Sequence, residues 1–277
     1  MTHEIGSSAR PDLPLAVVVG AGGLGMAVAR RLGLDYRLLL ADRDEAHLAA
    51  QVATLRREGF GATGLRCDVT RAADIAALAE QAAAAGPVLA LAHVVGLSPS
   101  MGGFRAIMAV NLIGATAIAQ AFLPIMAPGG AGLFISSSAA HMSPVPEALW
   151  PLLEQPQAAD MLDRLETALG EAATPAQAYA LSKAGLNRLC QRQAAVWGAR
   201  GCRINSLSPG LIATPMGAQE FERSPGKHKL LQVIPLAREG TMPEIANTTA
   251  FLLSPQASFI TGTDLLADGG MMAALRS

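Results

Sequence analysis

The stretch Leu15-Ala-Val-Val-Val-Gly-Ala-Gly-Gly-Leu-Gly25 decides the fold of this chain. Its first five residues are apolar and three of them are β-branched. The run stops at Gly20, which is typical of a fully buried strand. An alanine-rich stretch follows to about Leu34 and predicts a helix. A glycine-rich turn between a strand and a helix lets a pyrophosphate group approach the backbone at the helix N-terminus. We therefore interpret the stretch as the first strand–turn–helix unit of a dinucleotide-binding domain.

The same alternation of apolar strands and helices continues along the chain. Strands are predicted at residues 37–41, ending near 66, 88–95, 132–136 and 263–267, and helices at 44–58, 72–85, 104–126, 175–200 and 243–253. Such alternation implies right-handed crossovers and a parallel sheet covered on both faces. We predict one α/β domain over residues 1–277, a doubly wound Rossmann fold with a parallel sheet of about seven strands. Residues 1–14 are expected to form a polar tail.

Composition limits the classes of function. The formal net charge is −1, so there is no electrostatic case for binding nucleic acid or an anionic membrane surface. The longest apolar run, residues 88–97, is strand-sized, and no membrane-spanning helix is expected. The three cysteines, Cys67, Cys190 and Cys202, have no metal-binding spacing. Their number favours a reducing cytoplasm, and no metal site is expected.

Asp42 bears on the choice of cofactor. It closes the second predicted strand, 22 residues after Gly20, where a carboxylate would accept both hydroxyls of an adenosine ribose. The carboxylate would also repel a 2′-phosphate, which favours NAD over NADP. Arg43 follows directly and could hold a 2′-phosphate, so NADP stays an alternative. Asp42 could instead act only as the N-cap of the next helix.

A second constellation is Tyr179-Ala-Leu-Ser-Lys183, which places a tyrosine and a lysine one helical turn apart. A phenol with a reference pKa of about 10 is a weak base at neutral pH. A neighbouring ammonium stabilises the phenolate and lowers its pKa, so the pair can exchange a proton with a substrate oxygen. Alone, the same spacing also suits a surface tyrosine beside a solvated lysine, and the surrounding motifs therefore decide.

Together with further motifs in a fixed order, these features resemble the short-chain dehydrogenase/reductase superfamily over nearly all of the chain. The further motifs are Asp68-Val69, Asn111, Ser136-Ser137-Ser138, Asn205-Ser-Leu-Ser-Pro209-Gly210, Thr214 and Asp268-Gly269-Gly270. The resemblance implies an enzyme in which the cofactor supplies the hydride and the protein supplies position and proton transfer.

The resemblance also implies roles for single residues. Tyr179 would be the general acid/base, Lys183 would lower its pKa and bind the nicotinamide ribose, and Asn111 would anchor a water that relays the proton. Ser137 would hold the substrate oxygen, with Ser136 and Ser138 as alternatives, because a slip of one residue at a strand end changes the face. The implied cofactor contacts are Gly20, Gly22, Gly23, Leu24, Gly25, Asp42, Arg43, Cys67, Asp68, Val69, Val95, Gly96, Tyr179, Lys183, Pro209, Gly210, Ile212 and Thr214. The expected substrate contacts are Leu97, Met142, Trp150, Met216 and Phe221.

The chain departs from the family pattern in several places. Where the family has N-N-A-G after strand four, this chain has His93-Val-Val-Gly96, and we expect His93 to be a hydrogen-bonded core residue. The loop 97–103 replaces a helix. The 42 residues from Ser137 to Tyr179 include a predicted helical insertion at 144–174, which would form either a pocket wall or an oligomer contact. Residues 215–235 are expected to form a substrate lid or an ordinary solvated connection.

The short loop and the long insertion resemble the bacterial branch that contains hydroxysteroid dehydrogenase/carbonyl reductase enzymes. We expect a cytoplasmic, NAD(H)-dependent oxidoreductase that interconverts a ketone and a secondary alcohol on a hydrophobic cyclic, aromatic or steroid-like substrate. The family implies a homodimer or homotetramer. Two alternatives remain: an NADP(H)-dependent 3-oxoacyl-thioester reductase, and a non-catalytic regulator that senses the dinucleotide.

Overall fold

The computed structural model describes residues 12–214 and 225–277. Its strands are β1 (Leu15–Val19), β2 (Arg37–Asp42), β3 (Ala62–Arg66), β4 (Val88–His93), β5 (Met126–Ile135), β6 (Arg203–Pro209), β7 (Ile212–Ala213), β8 (Gly240–Thr241) and β9 (Asp264–Ala267). Seven of them form one parallel sheet in the order β3-β2-β1-β4-β5-β6-β9, and β7 pairs with β8. The predicted doubly wound parallel sheet of about seven strands is confirmed.

The helices alternate with these strands along the chain. They are α1 (Gly23–Leu32), α2 (Glu45–Arg57), α3 (Ala72–Ala85), α4 (Phe104–Met108), α5 (Ala115–Phe122), α6 (Trp150–Leu153), α7 (Met161–Leu169), α8 (Pro175–Gly198), α9 (Pro225–Val233), α10 (Met242–Leu253) and α11 (Met271–Arg276). A π-helical segment, Ala109–Gly114, joins α4 to α5. Short 3₁₀ turns lie at Leu123–Ile125, Ser138–His141, Glu147–Leu149, Gly170–Ala172 and Pro255–Ala257.

Two core layers cover the faces of the sheet. One packs α1, α2 and α10 against one face, and the other packs α3, α5 and α8 against the opposite face. All five residues of β1 are buried, because this central strand has a neighbour on each side and helices above and below. Since the sheet is parallel, the carboxyl ends of its strands meet at one edge, and this edge carries the predicted site residues.

The predicted insertion ahead of the Tyr179 helix contains α6 and α7. Its apolar side chains form a third core cluster with α4 and the first half of α8. The cluster includes Phe104, Ile107, Leu149, Leu153, Met161, Leu165 and Leu181. Ion pairs add to this contact: Arg105 of α4 reaches Asp163 and Glu166 of α7, and Arg188 and Arg192 of α8 reach Glu154. The insertion therefore lies against the helix that carries Tyr179 and Lys183.

The helical stretch Phe104–Ile125 corrects one expectation from the sequence. It is long and apolar enough to cross a membrane, with a mean hydropathy of 1.8, whereas no run of that kind was expected. Core helices of soluble proteins can be equally long and apolar. Of the most apolar part of Phe104–Ile125, 56% is buried inside the protein. It packs against α3 and α8 within the core layers described above.

Parts of two predicted segments lie outside the described residues. Of the polar tail, residues 1–11 fall outside them, and of the expected lid, residues 215–224 do. The remainder of the lid segment contains α9.

The glycine turn after β1 depends on one positive φ angle and on one close approach between backbone segments. Gly20 has a φ of +106°, which L-residues other than glycine rarely adopt. A Cβ on Gly25 would lie 1.8 Å from the carbonyl oxygen of Gly20, so only glycine allows α1 to start this close to β1. A Cβ on Gly22, by contrast, would have no protein atom within 4 Å, and its φ of −72° suits any residue.

We predict that Gly25→Ala lowers the free energy of unfolding by more than about 2 kcal/mol, because the added methyl group must displace backbone. Gly22→Ala is the matched control and should change it by no more than about 0.5 kcal/mol. Urea denaturation followed by circular dichroism measures both. Equal stability of the two variants would contradict this account of the turn.

Candidate active site

A cavity of about 930 Å³ lies at the carboxyl edge of the parallel sheet. This edge is where open α/β sheets bind their ligands. Every residue predicted to contact the cofactor lines the cavity, from the Gly20–Gly25 turn through Asp42 and Asp68 to Thr214. Their roles stay predictions, but the fold brings all of them to one surface.

The glycine turn fits a dinucleotide. α1 has no side chain capping its N-terminus, so the first backbone N–H groups of this helix are available to a phosphate. The open space at Gly22 leaves room for the group to approach. Asp42 stands beside this turn: its Oδ2 accepts from Ala21 N at 2.8 Å and its Oδ1 from Asp44 N at 3.1 Å. A carboxylate can accept further bonds, so Asp42 is still able to bind ribose hydroxyls.

The adenosine end of the cavity also carries Arg43 and Asp68. The Thr70 hydroxyl and backbone N–H both donate to Asp68 Oδ1, at 2.7 and 2.9 Å, and lower the pKa of this carboxyl. The charges of Arg43 and Arg66 lower it further. Arg43 is exposed and lines the cavity beside Asp42, where a cation would face an incoming phosphate.

Lys183 is the central buried charge of the site. Its side chain is 3% exposed, its Nζ donates to Ile135 O at 2.8 Å, and burial lowers its pKa to about 8. The Nζ atom lies 5.8 Å from the centre of the Tyr179 ring. A Cβ on Gly96 would approach Nζ to 3.3 Å, so glycine at this position leaves the ammonium its space.

Asn111 lies in the π-helical segment and is fully buried, although it does not line the cavity. Its Oδ1 accepts from Leu97 N at 2.8 Å, and its Nδ2 donates to Leu97 O at 3.0 Å and to Ser182 Oγ at 3.4 Å. The asparagine therefore fixes the chain that leaves β4 against the helix that carries Lys183. The predicted water relay stays a prediction.

The three serines after β5 differ in what they contact. Ser136 is buried and its hydroxyl donates to Lys183 O at 3.1 Å, so it serves to hold α8. Ser137 is partly exposed and accepts from Ala139 N at 3.2 Å, which leaves its own hydroxyl proton free to donate. Ser138 is buried. All three line the cavity, and their contacts favour Ser137 as the group that meets a substrate.

His93 is fully buried, as expected, and its ring stacks on Phe134 with 5.4 Å between centroids. The prediction that His93 is hydrogen-bonded is wrong, because neither ring nitrogen has a hydrogen-bond partner among the described residues. Burial lowers the pKa of His93 to about 3, and the Lys183 charge adds to the effect. The imidazole is therefore neutral at working pH.

Only some of the residues that were predicted to contact the substrate line the cavity. Leu97 and Met142 line the cavity, whereas Met216 and Phe221 lie outside the described residues. Trp150 was predicted to contact the substrate but does not line the cavity. Its ring packs against the third core cluster, 5.6 Å from the Arg188 guanidinium. An apolar cluster in the sequence gives no sign of which helix face will meet the cavity.

Sequence reasoning missed other residues of the cavity wall, among them Met101, Val145, Leu211 and Met271. A usable signal existed for Val145 and Met271, because each closely follows a motif residue that lies at the strand edge. The only charged side chains in the described lining are Asp42, Arg43, Asp68 and Lys183. Apart from Lys183, the charged side chains of the described wall therefore all lie at the adenosine end of the cavity.

Comparisons with known proteins agree with this geometry. A family model described as short chain dehydrogenase matches residues 14–149, and one described as Enoyl-(Acyl carrier protein) reductase matches residues 165–272. The short-chain dehydrogenase/reductase bsc3 of Alternaria brassicicola is 36% identical over 94% of this chain and 96% of its own. A 3-alpha-hydroxysteroid dehydrogenase/carbonyl reductase of Comamonas testosteroni is 34% identical over 65% and 71%.

Among solved structures, a 7 alpha-hydroxysteroid dehydrogenase complexed with NADH and 7-oxo glycochenodeoxycholic acid is similar, with a TM-score of 0.76 and 26% identity. The match covers 94% of this chain and 95% of that one. With nearly full-length relatives above 30% identity and the Tyr179/Lys183 pair in place, the chain belongs to the short-chain dehydrogenase/reductase family and is an NAD(P)-dependent oxidoreductase.

Proposed function

We propose that the protein uses NAD(H) to interconvert a ketone and a secondary alcohol on a hydrophobic substrate. The observation that carries the proposal is the buried Lys183 ammonium 5.8 Å from the centre of the Tyr179 ring, in a cavity whose other described charged side chains, Asp42, Arg43 and Asp68, lie at the adenosine end. Such a site supplies a proton donor of adjusted pKa and an apolar surface for the substrate.

Residues of the protein itself carry out the proton transfer. In the direction of reduction, Ser137 and Tyr179 donate hydrogen bonds to the carbonyl oxygen and stabilise the negative charge that develops on it. Tyr179 then transfers its proton to this oxygen. The Lys183 ammonium, held by Ile135 O, stabilises the resulting phenolate in a low-dielectric setting. NADH, when bound, supplies the hydride.

The cavity wall supports a hydrophobic substrate. Leu97, Met101, Met142 and Val145 line it, and flexible methionines adapt to bulky ring systems. Two relatives named above are hydroxysteroid dehydrogenases, which favours the same substrate class for this chain. A basic entrance would favour a reductase of acyl thioesters on a phosphopantetheine carrier, and the only cations in the described lining are Arg43, beside Asp42, and the buried Lys183.

The rival reading as a dinucleotide sensor is disfavoured by the complete catalytic set. A regulator needs no proton donor, yet Tyr179, Lys183, Asn111 and Ser137 are all present and Lys183 is buried at a solvation cost. A sensor could also use Lys183 to bind the nicotinamide ribose, so Tyr179 and Ser137 are the residues that favour an enzyme.

The cofactor proposal rests on Asp42. Its carboxylate lies at the edge of the glycine turn, with its oxygens held by the Ala21 and Asp44 backbone, and this arrangement supports a role in binding ribose hydroxyls. A 2′-phosphate would meet this negative charge, so NAD is favoured. Arg43 beside it is the group that would support NADP instead.

We propose a cytoplasmic location and a homodimer or homotetramer on the basis of the family. The insertion contributes to the pocket wall through Pro144 and Val145, while α6 and α7 cover α8 of their own chain. A partner that reaches the first half of α8 from that side would therefore contact the insertion as well.

We predict that Tyr179→Phe lowers kcat at least 100-fold, because general acid catalysis contributes about 10²–10⁴-fold. The assay follows NADH oxidation with a panel of cyclic and aromatic ketones. NADH affinity, measured by fluorescence titration, should change little. A variant that keeps wild-type turnover would remove Tyr179 from the mechanism.

The buried lysine gives a second prediction that separates stability from activity. Burial holds the pKa of Lys183 at about 8, below the 10.5 of an exposed lysine, so the cation costs stability below pH 8. That cost falls as the pH rises from 8 toward 10.5. Lys183→Met should therefore lose about 100-fold or more in kcat at pH 7 without a lower melting temperature.

The same pKa sets the pH profile of the wild-type enzyme. Reductive kcat/KM should fall as the pH rises through about 8, because the ammonium that supports Tyr179 is then lost. In Lys183→Met this limb should be absent from the residual activity. A melting temperature well below that of the wild type would show that Lys183 acts as a structural residue instead.

For the cofactor, we predict that Asp42→Asn lowers the preference for NADH over NADPH at least 10-fold, equivalent to about 1.4 kcal/mol. Asparagine keeps the shape of the side chain and an acceptor for Ala21 N. Arg43→Ala is the paired variant and should weaken NADPH alone. Ratios of kcat/KM for the two cofactors measure both effects. A wild-type preference for NADPH that Arg43→Ala abolishes would reverse the assignment.

A further inference from the structure

A polar cluster beside the active site has no part in the reaction described above. Its centre is the carboxylate of Asp264 at the start of β9, with a side chain only 6% exposed. This carboxylate accepts hydrogen bonds from His141 Nε2 at 2.7 Å, from Ser206 Oγ at 2.8 Å and from Ser208 Oγ at 2.8 and 2.9 Å. Because an ionised carboxylate only accepts, the shared proton belongs to Nε2 of His141.

His141 belongs to the turn that presents the catalytic serine. It is the last residue of the 3₁₀ turn Ser138–His141, and Ser137 caps that turn. Ala139 N donates to Ser137 Oγ at 3.2 Å, and Ala140 N donates to Ser137 O at 3.0 Å. Ser137 and His141 are thus the two ends of one hydrogen-bonded turn, and the His141 side chain bonds that turn to Asp264 of the sheet.

The cluster also touches the helix that carries Tyr179. Asn187 lies one turn after Lys183 on α8, and its side-chain amide is 3.4 Å from His141 Nε2 and 3.5 Å from Ser208 Oγ. His141 itself does not line the cavity, so it cannot touch a substrate there. The carboxylate on the last strand therefore bonds the serine turn to the sheet directly and reaches α8 through Ser208, whose hydroxyl accepts from Asn187 Nδ2.

We propose that His141 and Asp264 are positioning residues that fix the Ser137 hydroxyl relative to Tyr179. The inference rests on the proposed role of Ser137 in holding the substrate oxygen. Two donors that act on one oxygen must keep their spacing, and a displacement of about 1 Å can cost about 10²-fold in rate. The Asp264 carboxylate, which is 6% exposed and accepts from His141, Ser206 and Ser208, is held rigidly enough to keep that spacing.

The test is a double-mutant cycle between His141 and Ser137. His141→Leu should lower kcat by about 10- to 100-fold and leave NADH affinity unchanged, since neither His141 nor its partner Asp264 lines the cavity. His141→Gln keeps an N–H donor for Asp264 and should restore most of the rate. In a Ser137→Ala background, His141→Leu should have little further effect. Asp35→Asn, which removes an exposed carboxylate of the Arg31 pair, is the control.

Each outcome decides the proposal. Equal losses in the wild-type and Ser137→Ala backgrounds would mean that His141 acts on general stability and would overturn it, as would an unchanged kcat in His141→Leu. Where His141→Leu does not fold, Asp264→Asn replaces it in the same cycle with the same expected coupling.

Failure of the proposed function is recognised separately. Should the wild type turn over no ketone of the panel, a crystal structure of His141→Leu still tests the inference. Displacement of Ser137 Oγ by more than about 0.5 Å supports the positioning role, and an unmoved Oγ overturns it.

Discussion

The burial of one ammonium group is the constraint on which the site depends. Lys183 is 3% exposed, and its cation is destabilised enough to lower its pKa to about 8. Residues 181–187 of α8 are all buried, because the sheet covers one side of this helix segment and α4 with the insertion covers the other. The same exclusion of water strengthens the attraction between the ammonium and a Tyr179 phenolate. In the proposed mechanism, the burial that makes the Lys183 cation costly is also what lets it stabilise a Tyr179 phenolate.

The backbone around this cation is shaped to leave it room. Gly96 admits Nζ where a Cβ would crowd it, and Ile135 O supplies an acceptor from the end of β5. Asn111 ties the chain after β4 to the π-helical segment, and a local π-helix is the kind of irregularity that often marks a functional site. The carboxyl ends of β4 and β5 and the middle of the α4–α5 stretch thereby converge on one charged atom.

The sequence predicts those parts of the molecule that depend on local chemistry. The glycine turn needs residues without a Cβ at Gly20 and Gly25, and the Tyr179/Lys183 spacing is fixed by the helical repeat, so both can be recognised without coordinates. Trp150 and Met101 could not be assigned in the same way. Whether an apolar side chain meets a cavity or a core depends on which helix packs over it, and that is settled by contacts distant in sequence.

His93 shows how the chain departs from its family without losing the site. The family's amide at this position is replaced by a ring that stacks on Phe134 and makes no hydrogen bond with the described residues. A protonated imidazole here would repel Lys183, but burial keeps its pKa near 3, so no second cation competes in the core. Asn111 already binds both backbone groups of Leu97. This position can therefore hold a packing residue in place of a hydrogen-bonding one, because what the site requires there is a side chain without charge.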